Sequence, residues 1–317
     1  MYAPKEMFVK KLLLLYTMIG ALLYGGTVSF TLENDFFGTK DEDDHYTDGL
    51  FLIYMSDANT TDLFDAFLEE EQTNLAFSLT HQMFTPVDGE ITTPQLNDIP
   101  YAGYAKFNVL LYKSTSNYFH EFGVNFGAVG PVTHAEQLQT FFHHIWGNEP
   151  FKGWDTQLGN HMMAGVSYQF AYKTDAYNLY GYKLDAIGNV RAELGNYYTG
   201  ALSSATVRLS SVAQKNFITA GSFTVTDESD LLNVGHSEGF NWDISFGVFA
   251  SAIHNYYIVD EAIDEGYHLE PMKGTTGWQV AFHLMYDSFI YAYKIKSTHV
   301  NGQRHKRWGG MTLGWHF

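Results

Sequence analysis

The strongest constraint on the fold of this 317-residue chain is its last segment, where apolar residues alternate with small or polar ones up to the final residue. The odd positions are Met311, Leu313, Trp315 and Phe317, and Gly, Thr, Gly and His stand between them. An alternating last strand that ends on an aromatic residue resembles the end of outer-membrane β-barrels. Lipid offers the backbone no hydrogen-bond partners, so strands can cross a bilayer only as a closed sheet.

The same two-residue period recurs in residues 240–250 and 277–286, and Asp287-Ser288 supplies a two-residue turn before the run 289–296. Such runs, separated by tight turns, indicate an antiparallel sheet. We therefore predict an all-β fold, a transmembrane antiparallel β-barrel of about twelve strands, an even number as bacterial barrels require. A soluble β-sandwich with an aromatic core is the alternative. The candidate strands begin near Val28, Tyr46, Leu75, Ala102, Phe119, His161, Tyr182, Gly200, Phe240, Thr275, Phe289 and Lys306.

The composition agrees with a barrel and limits its chemistry. The 22 Tyr and 25 Phe residues are enough for aromatic girdles at both membrane interfaces. The absence of Cys excludes disulfides, thiolate metal sites and a cysteine nucleophile. The net charge of −17 disfavours nucleic acid as a partner, because binding to nucleic acid needs a basic face. An acidic protein that acts on an anionic substrate would need a bridging cation, so a divalent metal is expected.

Residues 1–26 have the pattern of a secretory signal peptide. Lys5, Lys10 and Lys11 precede the apolar run 12–24, and Gly25-Gly26 follows it. The run is too short for a comfortable membrane span, which takes about 20 residues. A retained anchor is the alternative, and Met7 is a second possible start. Residues 27–317 are then predicted to form a single barrel domain.

One segment departs from the β pattern. Residues 134–147 have helical spacing, with Thr133 and Glu136 as a capping box and Gly147 as the C-cap. A helix inserted between two strands must leave the barrel wall, and we expect its apolar stripe to pack on that wall and form a cleft in an extracellular loop. The stripe consists of Leu138, Phe141, Phe142, Ile145 and Trp146. Gln139 and His143 lie on one face. The spacing alone leaves open whether His143 is a catalytic base or a half-buried structural residue.

A second polar feature lies at the end of the first strand. Asn34-Asp35 ends this strand, an acidic loop follows at 40–44, and Thr47 opens the next strand. Taken alone, this could be a turn with a solvated acidic loop or one half of a hydrolytic site.

Together these segments resemble the lipid A 3′-O-deacylase family of outer membranes, usually called LpxR. The matching blocks are Asn34-Asp35 with the run Tyr-Thr-Asp-Gly-Leu at 46–50, and a second block over 130–158 that contains Gly-Pro, Gln139-x-x-x-His143 and Gly-Trp-x-x-Gln-Leu. A weaker block, Phe-Thr-Pro at 84–86 with Asp-Ile-Pro-Tyr-Ala-Gly at 98–103, also matches. The resemblance implies a twelve-stranded barrel with its site between the wall and a helix from an outer loop. It also implies calcium-dependent removal of the 3′-O-linked acyloxyacyl chain of lipid A.

The resemblance further implies roles for particular residues. His143 would be the base that activates water, Asp35 would hold the calcium ion, and Asn34 would help to stabilise the oxyanion. Thr47, Gln139 and Glu149 match further site positions. The implied setting is the outer membrane, with lipid A or lipopolysaccharide as substrate and a monomeric enzyme. Residues 87–92 lack the basic pair that some members have near lipid A phosphates, and Ile99 replaces an arginine that is common there.

Three other functions are open at this stage. Residues 235–239 read Gly-His-Ser-Glu-Gly and match the nucleophile elbow of serine hydrolases, which requires a strand before it and a helix after it. A non-enzymatic barrel, either a pore or a structural protein, would leave the acidic loop without a catalytic role. A different outer-membrane lipid hydrolase could use a serine with a histidine.

Overall fold

The computed structural model describes residues 25–34, 37, 46–58, 72–222, 228–300 and 305–317. Almost all of the predicted signal peptide lies outside these ranges, so it stays a prediction. Gly26, the last residue assigned to that peptide, is the first residue of the first strand.

The described residues form thirteen antiparallel strands in one sheet. The strands are β1 (Gly26–Asn34), β2 (Asp48–Ser56), β3 (Gln72–Phe84), β4 (Ala102–Ser114), β5 (Tyr118–Val129), β6 (His161–Lys173), β7 (Tyr177–Leu179), β8 (Tyr182–Gly195), β9 (Tyr198–Ser210), β10 (Ser237–Tyr256), β11 (Gly274–Asp287), β12 (Phe289–Val300) and β13 (His305–His316). The short β7 pairs only with β8, and β6 pairs directly with β8 beside it. The remaining twelve strands form a closed wall, which confirms the predicted fold.

The first and last strands close the barrel. β1 pairs with β13 from Thr27 opposite His316 to Asn34 opposite Gly309. The Gly26 amide donates to the Phe317 carbonyl oxygen over 3.1 Å, and the Phe317 amide donates to the Gly26 carbonyl oxygen over 2.9 Å. The sheet therefore has no open edge between its first and last strands, as a lipid environment requires.

The wall is apolar outside and polar inside. Along β10, Ile244, Phe246 and Val248 are exposed, whereas Asp243 and Ser245 are buried. A soluble sandwich would bury the apolar side chains. Exposure of the apolar face is expected only where lipid covers it, so the alternative of a β-sandwich is wrong.

Charged groups in the lumen are paired. Arg191 donates to Glu121 over 2.9 Å, and Arg208 contacts Asp185 over 2.8 Å. All four side chains are almost fully buried. Buried charges persist in proteins when an opposite charge and hydrogen bonds compensate their lost hydration.

The connection between β9 and β10 enters the lumen and fills part of it. We call its described residues, 211–222 and 228–236, the plug. The Lys173 ammonium donates to the backbone carbonyls of Gln214, Lys215 and Asn216, at 2.8, 2.9 and 3.2 Å. From the opposite wall, Lys294 forms an ion pair with Asp230. Because both contacts join the plug to barrel strands, the plug is part of the folded barrel.

Among the described residues, two α-helices lie at the end of the barrel opposite to the Gly26–Phe317 pair. They are α1 (Ala135–Trp146), between β5 and β6, and α2 (Tyr257–Asp264), between β10 and β11. The predicted helix is thus confirmed as α1, whereas α2 was not predicted. Within the described ranges, no helix has the length and apolar character needed to cross a membrane.

The ends of α1 agree only in part with the predicted caps. Gly147 has φ 76° and is the C-cap, as predicted. The N-cap is His134, in the left-handed region at φ 58°, and the prediction of a Thr133 cap is wrong. Thr133 belongs to a preceding 3-10 turn, where its hydroxyl donates to the Gly130 carbonyl oxygen over 2.7 Å. The turn therefore uses the hydroxyl that a capping box would need.

Candidate active site

The face of α1 that meets the protein is polar at its centre. Ala135, Gln139 and His143 recur every four residues and are all buried. Phe141 and Ile145 are 58% and 59% exposed. The prediction that the whole apolar stripe packs on the wall is therefore wrong for these two residues. Two polar side chains, Gln139 and His143, lie on the buried face of the helix instead.

The wall beneath α1 is an outward-facing row across four strands. Asn34 is paired with Asp48, Asp48 with Met83, and Met83 with Gly103. Met83 lies four residues after Leu79 on β3, so their side chains point to the same face of the sheet. Leu79 is 52% exposed, so this row faces outward. Neighbouring strands are about 4.8 Å apart, which puts Asn34 about 15 Å from Gly103 along the row.

Gly103 allows the helix to approach the wall closely. A Cβ atom at this position would lie 2.1 Å from the Thr133 Oγ1 atom and 2.4 Å from the Ala135 Cβ atom. Ala135 also belongs to a buried cluster with Met83, Tyr101 and Trp154. The start of α1 is thus seated on the outer surface of β3 and β4, outside the lumen.

The end of α1 orients His143. Gly147 and Asn148 both donate their amides to the His143 carbonyl oxygen, so the chain turns back on the helix. This turn brings the Glu149 carbonyl oxygen within 2.7 Å of the His143 Nδ1 atom. A carbonyl oxygen only accepts, so in the neutral ring the proton is on Nδ1. The Nε2 atom then carries the lone pair and makes no hydrogen bond with the described residues.

The Phe151 ring and the chain around Glu149 surround His143. The Phe151 ring stands edge-on to the imidazole, with 5.1 Å between ring centres. Glu149 contributes its main-chain oxygen, and its carboxylate side chain is exposed. One turn earlier on the helix, the Gln139 Oε1 atom accepts a hydrogen bond of 2.7 Å from the Trp154 indole nitrogen.

Two outer loops join at Phe151 and Lys152. The Lys152 amide donates to the Gly89 carbonyl oxygen over 2.7 Å, and the Phe151 ring covers Gly89, where a Cβ atom would lie 2.3 Å from the ring. The Lys152 ammonium bonds to the exposed Glu90 carboxylate, and this bond raises the pKa of Lys152. Burial raises the pKa of Tyr101, beneath the same loop, to about 12. Tyr101 therefore remains a neutral phenol at physiological pH.

The other predicted residues meet at the strand ends. The Asn34 amide nitrogen donates to the Thr47 carbonyl oxygen over 2.9 Å and to the Asp48 Oδ1 atom over 2.6 Å. The Thr47 hydroxyl is bonded to the Thr85 hydroxyl at 2.6 Å. Both hydrogens of the Asn34 amide are used in these bonds, so its carbonyl oxygen faces the other way.

The strand ends provide oxygen atoms of the kind that calcium prefers. Asp35, the predicted metal ligand, lies outside the described residues. Within the described ranges, no group of three or more His, Asp or Glu side chains is placed to hold a metal. The Asp48 carboxylate, the Thr47 carbonyl and the Asn34 carbonyl are nevertheless hard oxygen donors at the strand ends. The donor chemistry therefore fits calcium, and the metal site stays a prediction.

The structure thus groups the predicted residues in two sets. Asn34 and Thr47 form one set, and Gln139, His143 and the main chain of Glu149 form the other. The row of paired strands joins the sets across the outer wall. The sequence assigned no role to Asp48, which lies in the Tyr-Thr-Asp-Gly-Leu run, or to Trp154, which lies in the Gly-Trp-x-x-Gln-Leu run.

These features define a class of protein: a closed outer-membrane β-barrel with a loop helix that packs on the outer wall and buries polar side chains against it. A sequence model for the family described as "Outer membrane protein LpxR" matches residues 9–317, almost the whole chain. The chain belongs to the LpxR family of outer membrane proteins.

Comparison of structures supports the fold. LpxR from Salmonella typhimurium aligns with a TM-score of 0.77 at 17% sequence identity, over 92% of this chain and 100% of that one. The β domain of the Bordetella autotransporter BrkA aligns with a TM-score of 0.47 at 7% identity, over 93% of this chain and 99% of that one. The second TM-score is too low to support any conclusion. No curated protein sequence matches this chain significantly.

Proposed function

We propose that this protein is an outer-membrane esterase that removes the 3′-O-linked acyloxyacyl chain from lipid A. Membership of the LpxR family supports lipid A deacylation as the activity. The position of the cleft is consistent with this substrate, because lipid A is anchored in the membrane that surrounds the barrel. A cleft on the outer wall could receive a lipid that diffuses within the leaflet.

The observation that carries the proposal is the orientation of His143. The Nδ1 proton is held by the Glu149 carbonyl oxygen at 2.7 Å, and Nε2 makes no hydrogen bond among the described residues. A neutral imidazole held in one tautomer is the group that general-base catalysis near neutral pH requires. Nothing in the described site offers an activated serine or a cysteine as a competing nucleophile.

The proposed reaction follows from this tautomer. The Nε2 atom takes a proton from a water molecule, and the hydroxide oxygen forms a bond to the ester carbonyl carbon. The resulting tetrahedral intermediate breaks its bond to the sugar oxygen, and the His143 imidazolium returns the proton to that leaving oxygen. The products are the acyloxyacyl chain as a free carboxylic acid and a hydroxyl group on lipid A.

The negative charge on the carbonyl oxygen must be stabilised. We propose Asn34 and Gln139 as donors, with Thr47 holding Asn34 through its carbonyl oxygen. For this role, the Asn34 amide would have to exchange Thr47 or Asp48 for the substrate, because both hydrogens are used here. Loss of a single donor to an oxyanion typically costs 10²–10³ in kcat.

We further propose that calcium binds at the strand ends, with Asp35, Asp48 and the Thr47 carbonyl among its ligands. A calcium ion held there would supply positive charge that offsets the negative charge of the reacting oxygen and of the lipid phosphates. The net charge of −17 supports this part of the proposal, because an acidic protein otherwise repels a phosphorylated substrate.

Two rival functions have little support. Ser237 begins strand β10 and donates to the Gly239 carbonyl oxygen, and no helix follows it as a nucleophile elbow requires. The neighbouring His236 bonds to Ser288 at 2.9 Å and belongs to the opposite end of the barrel from α1. A wide pore is disfavoured by the plug and by the ion pairs of the lumen.

The test is mass spectrometry of lipid A from a deacylase-free outer membrane in which the protein is expressed. Wild-type protein should yield lipid A that lacks one 3′ acyloxyacyl group in the presence of calcium, and intact lipid A after chelation. Ser237→Ala should behave as wild type. Unchanged lipid A under all conditions would refute the proposal and favour a structural barrel. Activity abolished by Ser237→Ala would favour the serine mechanism.

A further inference from the structure

The Gln139 side chain carries a buried donor that has no partner. Its Oε1 atom accepts from the Trp154 indole, whereas its Nε2 atom is buried and has no hydrogen-bond partner in the described protein. A buried amide donor without a partner costs about 1–3 kcal/mol, so native proteins rarely keep one without a reason. Such a donor next to a candidate base points to a ligand oxygen that reaches it when the substrate binds.

The identity of the Trp154 atom fixes which end of the Gln139 amide meets the indole. An indole nitrogen can only donate, so the Gln139 end that meets it must be the oxygen. The NH2 group then points away from Trp154. Gln139 lies one turn before His143 on the same buried face of α1, about 6 Å along the helix axis. The Gln139 Nε2 atom, the donor without a partner, is therefore beside His143, the proposed base.

Trp154 itself is held firmly. The side chain is 2% exposed, and its ring lies 5.1 Å from the Tyr101 ring. The preceding Gly153 is pressed so closely onto Tyr101 that a Cβ atom there would lie 2.3 Å from the Tyr101 ring. These contacts leave the indole little freedom to rotate, so the direction of its N–H group is set by packing.

We propose that Trp154 is a positioning residue that holds the Gln139 amide with its NH2 group toward the substrate. Gln139 then donates to the carbonyl oxygen of the scissile ester, a bond that strengthens as the oxygen becomes negative. This inference rests on the proposed deacylase function and adds to it a residue that acts through Gln139. Trp154 makes no contact with the substrate in this account.

A purely structural role for Trp154 makes a different prediction. Trp154→Phe keeps an aromatic ring among Met83, Tyr101 and Ala135 and removes only the N–H group. If Trp154 serves packing alone, this substitution should lower the melting temperature in proportion to the lost contacts and leave kcat unchanged. If it positions Gln139, kcat should fall while the KM for lipid A changes little.

The experiment is a double-mutant cycle on the purified full-length barrel with lipid A as substrate. Trp154→Phe should lower kcat about tenfold, and Gln139→Ala should lower it about a hundredfold. In the Gln139→Ala background, Trp154→Phe should change kcat by less than twofold, because the amide that it positions is gone. Folding of each variant is checked by the mobility of the unheated barrel in gel electrophoresis.

Gln139→Glu provides a second test if Trp154→Phe does not fold. This variant keeps an oxygen for the indole and loses the NH2 group, so we expect a kcat as low as that of Gln139→Ala. Full kcat in Gln139→Glu, or multiplicative effects in the cycle, would overturn the inference and leave the proposed function intact. A wild-type protein without activity on lipid A would overturn both.

Discussion

The His143 Nδ1 atom donates to the main-chain carbonyl oxygen of Glu149 over 2.7 Å, a contact made possible by the turn at the end of α1. A main-chain partner cannot be protonated, and no rotation of a side chain can withdraw it. The tautomer of the proposed base is therefore set by the backbone. Its stability depends on the residue that lets the chain reverse, Gly147.

We expect substitutions at Gly147 to act through the backbone conformation that they disfavour and not through the size of the new side chain. Its φ is 76°, and a Cβ atom there would have no neighbour within 4 Å. We expect Gly147→Ala to lower stability by about 1 kcal/mol and to reduce deacylation, because alanine is strained in the left-handed region. Gly147→Asn, which tolerates this region better, should keep more of both. Melting curves and rates on lipid A test this, and equal losses in the two variants would refute the backbone explanation.

The seat of α1 on the wall gives a second prediction. A methyl group at Gly103 would meet Thr133 and Ala135, so Gly103→Ala should displace the start of the helix while the barrel still closes. We expect a large loss of activity with normal membrane insertion and heat-modifiable gel mobility. Gly188→Ala is the matched control, because a Cβ atom on this β8 glycine has nothing within 4 Å. Full activity in Gly103→Ala would mean that the helix can occupy another position.

Calcium should stabilise the folded barrel if the strand ends bind it. A ligand present at 100 times its dissociation constant adds about 2.7 kcal/mol to stability. We expect calcium to raise the melting temperature of the wild type, and Asp35→Ala or Asp48→Ala to reduce this shift. Asp155→Ala, an exposed carboxylate on a nearby 3-10 turn, should leave it unchanged. Equal shifts in all four proteins would place the calcium elsewhere.

We expect Lys173 to be needed to hold the plug in the lumen. Removing this ammonium leaves one buried and two partly buried carbonyls without their donor, and a buried group without a partner costs about 1–3 kcal/mol. We expect Lys173→Met to lower the melting temperature and to raise ion conductance in planar bilayers. Lys215→Met, on an exposed lysine of the plug, should do neither. A Lys173→Met barrel as closed and stable as wild type would show that other contacts hold the plug.

The strands of the barrel wall could be predicted from the sequence, whereas the plug in the lumen could not. Strand positions follow from a local two-residue period, and all twelve predicted starts lie close to the observed ones. The Asp287-Ser288 turn is also local, with Tyr286 paired to Phe289 across it. The plug depends on contacts such as Lys173 with Gln214, which form only when distant strands meet. No local pattern can predict such pairs.

The errors at α1 have a physical cause. The prediction assumed that apolar side chains seek the protein interior, as they do in water. For a helix on the outside of a membrane barrel, apolar residues such as Phe141 and Ile145 can stay exposed. The polar Gln139 and His143 were correctly placed on one face, because helical spacing is local. The hydrogen bond from Trp154 to Gln139 joins α1 to the segment that follows it. Helical spacing within α1 therefore could not predict this bond.

The resemblance to LpxR is confirmed as family membership, whereas the roles of the site residues stay predictions. Asp35 lies outside the described residues, and the monomeric state and the absence of a nucleic-acid partner are untested. Asn34 and Thr47 are in direct contact, which is compatible with a shared site. The side chain of Glu149 has no contact that assigns it a role in the reaction.

The central claim is that His143, and no other histidine of α1, is the base. The most direct measurement is the rate of acyl release from lipid A by purified His143→Ala, compared with His144→Ala. His144 is the next residue, is exposed, and bonds within its own helix to the Thr140 carbonyl oxygen at 2.9 Å. We predict that His143→Ala loses activity by 10²-fold or more, as expected for removal of a general base, and that His144→Ala keeps nearly all of it. Equal rates in the two folded variants would contradict the account.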